Sequence, residues 1–213
     1  YSIAKIRKRK EEKWHGRILE QIGIAGTKGE IMRSNEMTTR RAAGENLVIR
    51  RLTATGMMAA LITLMTAYIF HIPIGGNGGY VHLGDALIYL SAAILPAPYA
   101  MAAGAIGGGL ADLLTSPVWA PATVVIKMLI VLPFTSKENK IVTVRNVVAL
   151  FLAFLISGTG YFLAEGLMFG FKAAFFVSLG SSLIQATGSG VVFLIFGIAL
   201  DRLSFKTRFF PRV

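Results

Sequence analysis

The chain has 213 residues, 54% of them hydrophobic and only 15% charged, with a mean hydropathy of +0.62 and a formal net charge of +11. That is too apolar for an ordinary soluble domain, and the lack of any cysteine excludes disulfides, thiolate metal sites and cysteine nucleophiles. Thirteen of the 22 Lys and Arg lie in residues 1–51, so the positive charge is weighted toward one end of the chain.

That end reads as a basic N-terminal tail over residues 1–45, with the run Lys5, Arg7, Lys8, Arg9, Lys10 and the pair Arg40, Arg41; Arg50 and Arg51 follow just beyond it. The run lacks the interleaved aromatics and the recognisable fold of a nucleic-acid binder, so no nucleic-acid partner is expected. Lys and Arg beside membrane spans collect on the cytoplasmic side, and topology explains the bias better. Residues 1–36 show no sustained apolar period, contain Gly23, Gly26 and Gly29, and precede a plausible start at Met37. They read as a disordered arm or an upstream extension. No apolar core of signal-peptide length follows their basic residues before the first span.

Residues 46–213 read as an all-α integral membrane domain of six transmembrane helices. The first apolar segment, about Leu52 to Phe70, approaches the roughly 20 residues needed to cross a bilayer. It carries small residues at Gly56 and Ala60, spacing that lets helices approach closely in lipid. HIPIGGNGGY follows, where Pro73 and four glycines forbid a regular helix. The second segment, about Leu83 to Leu95, stops at Pro96 and Pro98. The third, about Tyr99 to Leu114, holds Gly104, Gly107, Gly108 and Gly109. After TSPVWAP come a fourth segment, about Ala122 to Phe134, a fifth, about Val144 to Phe169, and a sixth, about Ala173 to Leu203.

An even number of spans puts both termini on one side. That side would hold the tail together with Lys137, Lys140, Arg145, Arg202, Lys206, Arg208 and Arg212, against Lys172 alone on the other. Both termini are therefore expected in the cytoplasm. In this topology His71, His82, Asp85, Asp112, Lys127 and Glu165 all fall in the outer half and Gln185 near mid-depth. A through-pore would need polar groups across the full thickness, whereas a cup open to the outside needs them only near its mouth.

Carboxylates inside apolar helices are costly enough to demand a partner, a wet cavity or a ligand. Asp112 and Lys127 sit at similar depth on neighbouring spans and are expected to pair as a fold-locking ion pair. Asp85 is expected to cap the second helix, whose dipole favours an anion at its start. Both aspartates thus read as structural. Two lone histidines do not make a metal site, and none is expected. Trp119, Tyr80, Tyr161 and Phe162 lie where aromatics anchor helices at the interface, and they also suit a flat ligand. Gln185, flanked by Ser181, Ser182, Thr187 and Ser189, is the strongest uncharged candidate, because a buried amide needs partners. No GxxxxGK[ST], HExxH or GxSxG motif occurs, so the chain offers no catalytic set of those kinds.

TATGMMAALITL, GGYVHLGDALIYL, GGGLADLL and WAPATVVIKML, in that order, resemble the substrate-binding S components of energy-coupling factor (ECF) vitamin transporters, most of all the hydroxymethylpyrimidine or pyridoxine branch. The resemblance covers about residues 50–203. It implies a six-helix, non-catalytic subunit of a bacterial-type plasma membrane that captures a small heteroaromatic vitamin or precursor. It further implies docking on a transmembrane coupling subunit with two ATPases, and inward delivery by toppling. No cofactor is then expected on this chain, since ATP and Mg would belong to the ATPases. Gly56 and Ala60 stand where the family's AxxxA motif meets the coupling subunit. The loop from Gly75 to His82 would close over the ligand, with Gly79, His82, Trp119, Lys127, Tyr161, Glu165 and Gln185 around it. A standalone secondary carrier and a small membrane enzyme are the alternatives.

Overall fold

The computed structural model describes residues 2–21, 24–69, 71–74 and 79–210. Two compact units divide between Ile49 and Arg50.

The first unit consists of α1 (Ser2–Gln21) and the opening part of α2 (Ile24–Leu64). Lys, Arg and Glu are good helix formers, and the pairs Arg7–Glu11 (3.9 Å) and Arg41–Glu45 (3.2 Å) add i,i+4 support. Both pairs are exposed, so each contributes only tenths of a kcal/mol.

The second unit is a helical bundle with one small hairpin. The remainder of α2 ends in a π-helical turn, Met65–Ile69, that buries Thr66 and Ala67. Strands β1 (Ile72–Ile74) and β2 (Gly79–Val81) then pair antiparallel, with Ile72 opposite Val81. α3 (Gly84–Ile94) stops because Leu95 precedes a proline and takes an extended backbone, ψ 151°. α4 (Ala97–Thr115) begins beside Pro96, and α5 (Ala120–Leu129) follows a single 3-10 turn, Pro117–Trp119. α6 (Val144–Phe169) is capped by Thr143 and joined to α7 (Phe171–Arg202) through Gly170, whose φ of +99° suits only glycine. The short α8 (Phe205–Phe209) closes the chain.

Glycines set the helix spacing. A Cβ on Gly107 would lie 2.7 Å from Ile62 Cβ and 2.8 Å from the Ala59 carbonyl, so α4 can touch α2 only through a bare backbone. Thr63 hydrogen-bonds the Gly107 carbonyl across the same seam at 3.0 Å. The core lies between α3, α5 and α7, where Tyr89 stacks on Phe134 at 5.2 Å and Phe193 meets both rings edge-on.

The end of the bundle away from the hairpin is stitched by polar side chains. Asn146 accepts the Thr135 N–H (2.8 Å) and donates to the carbonyls of Thr135 (3.1 Å) and Ile141 (2.9 Å). Asp201 accepts the N–H groups of Ile141 and Val142, and Lys206 donates to the Ala93 carbonyl at the end of α3, at 2.6 Å. Asn146→Ala is expected to destabilise the bundle by roughly 1–3 kcal/mol for each buried group left without a partner. Thermal unfolding in detergent would measure it, and an unchanged midpoint would contradict this role.

The outward faces of α2, α6 and α7 present Leu61, Leu64, Phe151, Leu155, Ile184, Val191 and Ile195. Among the described residues, three helical stretches, Gly29–Ile69, Val144–Phe169 and Gly180–Arg202, are long and apolar enough to cross a membrane, and Gly84–Ile94 and Pro117–Leu129 are shorter apolar helices. So large an uncovered apolar surface is stable only in a nonpolar solvent, and the protein is membrane-integral.

Candidate ligand-binding site

Lys127 reaches the centre of the bundle because α4 yields it a slot. A Cβ on Gly108 would sit 3.0 Å from Lys127 Cγ and 3.1 Å from Thr123 Cγ2, and one on Gly104 would lie 3.1 Å from the Lys127 carbonyl. The ammonium, on a side chain only 1% exposed, donates to Asp85 Oδ1 at 2.6 Å. Asp85 Oδ2 accepts from Gln185 Nε2 at 2.8 Å. One carboxylate thus ties α3 to both α5 and α7.

This geometry corrects two expectations. Lys127 pairs with Asp85, not with Asp112. Gly104, Gly108 and Asp112 form one i,i+4 stripe on α4, and the antiparallel register with α5 places Asp112 a turn beyond Lys127, level with the start of α5. Asp85 does stand in the first turn of α3, where the dipole favours its charge, but the N-cap residue is Leu83, which makes no side-chain cap bond. Its oxygens are spent across the bundle instead. A buried ion pair of this kind is held by its extra hydrogen bonds, and removing one partner strands the other.

An aromatic wall adjoins the pair. The Tyr161 ring lies 5.3 Å from Lys127 Nζ, within cation–π range, and its hydroxyl is 2.9 Å from Thr123 Oγ1. Trp119, buried at the start of α5, meets Tyr161 edge-on at 6.0 Å and Phe169 at 6.0 Å. Glu165 is buried one turn beyond Tyr161 on α6.

His82 is buried at the junction of hairpin and α3, where Nδ1 accepts the Gly84 N–H at 3.0 Å with the Thr66 hydroxyl 3.5 Å away. That donation assigns the lone pair to Nδ1. Gly84 must be glycine, since a Cβ there would collide with the Thr66 hydroxyl. His71 Nδ1 lies 3.2 Å from the Thr66 carbonyl. Gly79 opens β2, opposite Ile74. Residues 75–78 of the expected closing loop lie outside the described residues, as does the Tyr80 side chain.

The structure therefore brings Lys127, Gln185, Tyr161 and Trp119 together around Asp85, with His82 three residues before it. Phe162 instead packs on Phe171 in the seam between α6 and α7, at 5.7 Å. Gly56 and Ala60 stand apart, on an exposed face of α2, with open space where a Gly56 side chain would go. Two contributors are new. Thr123 precedes Lys127 by one turn on the same face, a spacing visible in the sequence, whereas Thr66 is positioned by the π-helical turn, for which the sequence carries no signal.

Such a cluster offers donors, a carboxylate and flat apolar walls at the bundle end bearing the hairpin, which is equipment for holding a small polar aromatic molecule. Comparison with curated proteins gave no match. The family model described as ECF-type riboflavin transporter, S component, matches residues 46–202. That span takes in every member of the buried cluster, and the chain belongs to the ECF-type riboflavin transporter S component family, a family of non-catalytic, substrate-binding subunits of vitamin uptake systems.

Proposed function

We propose that the chain captures a small heteroaromatic vitamin or precursor from outside the cell and surrenders it to the cytoplasm when docked on an ATP-driven module. The observation that carries this reading is the Lys127–Asp85–Gln185 cluster set against the Trp119–Tyr161 wall. The binding domain comprises residues 46–213, preceded by the basic arm of residues 1–45. It crosses a bacterial plasma membrane six times, with both termini cytoplasmic, which turns the hairpin and the cluster outward.

Gly79 and the loop around it close over the ligand. His82, Lys127, Glu165 and Gln185 supply polar contacts, and Trp119 and Tyr161 supply flat packing. The partners are a transmembrane coupling subunit, met by the Gly56 and Ala60 face, and two ATPases that hold ATP and Mg. Toppling of the whole subunit in the membrane carries the ligand inward. The family's description makes riboflavin the first ligand to test, with hydroxymethylpyrimidine and pyridoxine as the smaller candidates of the same flat, hydrogen-bonding class.

Native mass spectrometry of the purified protein, followed by titration with the three compounds, tests the reading. One of them, or a related heteroaromatic, should bind in a one-to-one complex, and Gln185→Ala and Trp119→Ala should each weaken it at least tenfold, about 1.4 kcal/mol. Unchanged affinity in both variants would remove those residues from the site. Uptake that survives loss of the ATPases would replace the S-component reading with a standalone carrier.

A further inference from the structure

We infer that α1 is a membrane-surface helix whose partner is an anionic lipid headgroup layer. The helix carries seven basic residues against three acidic ones, and they are not evenly spread. Ile6, Lys10, Trp14 and Ile18 follow one another at i,i+4 and form a single ridge along the helix. Lys13 and Arg17 flank this ridge on one side with Arg9, and Arg7 flanks it on the other. Glu12 falls on the opposite side with Lys5 and Lys8, Glu20 lies among the flanking basic residues, and Glu11 sits at the edge, paired with Arg7.

Ile6 is 56% and Trp14 62% exposed and Ile18 is half-buried, so the described residues leave Ile6 and Trp14 uncovered. Basic side chains bordering an exposed Ile and Trp are the arrangement of an interfacial helix: the apolar residues enter the acyl boundary while the cations reach phosphate. Lipid is the partner chosen because the rest of the chain is membrane-integral, which keeps the arm beside a bilayer at high effective concentration. Charge complementarity then selects anionic lipid, since each Lys or Arg near such a surface adds attraction that salt screens.

Trp14 and Trp119 are the two tryptophans of the chain, so full-length Trp119→Phe protein reports on Trp14 alone. This protein is placed in nanodiscs of phosphatidylcholine, with or without phosphatidylglycerol, and quenched with aqueous iodide or acyl-brominated lipid. With phosphatidylglycerol present, Trp14 emission should shift to the blue, iodide quenching should fall severalfold and brominated lipid should quench. Molar salt, or joint replacement of Arg7, Arg9, Lys10, Lys13 and Arg17 by Gln, should reverse all three. Equal iodide access in both lipid compositions would overturn the inference. So would protection in the neutral nanodiscs produced by added RNA, which would assign the ridge to nucleic acid.

Discussion

Lys127→Met should lower the stability of the bundle by roughly 3–5 kcal/mol, because it leaves the Asp85 carboxylate buried without its cation. Asp85→Leu should be comparably damaging, since it strands the ammonium and orphans the Gln185 amide donor. The double variant Asp85→Leu/Lys127→Met is the informative one. Replacing a buried pair by apolar residues of similar size is often neutral or stabilising, so thermal unfolding should recover toward the parent. Ligand affinity should not recover, if Lys127 contributes a contact as well as a scaffold. A stable double variant that still binds as tightly as the parent would confine the pair to a structural role and take Lys127 out of the site.

Gly56→Leu, or Ala60→Leu, should abolish uptake while leaving ligand binding by the isolated subunit intact. Neighbouring positions on α2 differ sharply in what they tolerate. Toward α4, Ala59 and Ile62 press on Gly107 so closely that even an added methyl must displace them. Beside that seam, the Gly56 position opens onto nothing within 4 Å, so a leucine there costs the fold little. A close-packing position left uncovered by the described residues is where a partner helix can approach. Co-purification of the Leu variants with the coupling subunit, at parental yield, would refute that docking face.

How much of this was legible in the sequence depended on the length scale of the signal. Each predicted apolar segment corresponds to a helix, because hydropathy and the prolines at 96, 98 and 117 act locally along the chain. Gln185 was legible for a similar reason: an amide deep in an apolar run needs partners. The choice between Asp85 and Asp112 for Lys127 was not legible. Both carboxylates lie near the same estimated depth, and what separates them is the rotation and register of α4 against α5, set by contacts at Gly104, Gly108 and Gly109 that involve residues 15 to 23 positions away. The cap assigned to Asp85 failed alike, because a carboxylate in a first turn has a local use and a distant one, and only the packing reveals which wins.

The stitched end of the bundle has a bearing on traffic. Asn146, Asp201 and Lys206 bind backbone groups from three separate segments, so opening a passage there would break several buried hydrogen bonds at once. The toppling proposed above avoids that cost, since a container turned over needs no hole bored through its riveted base.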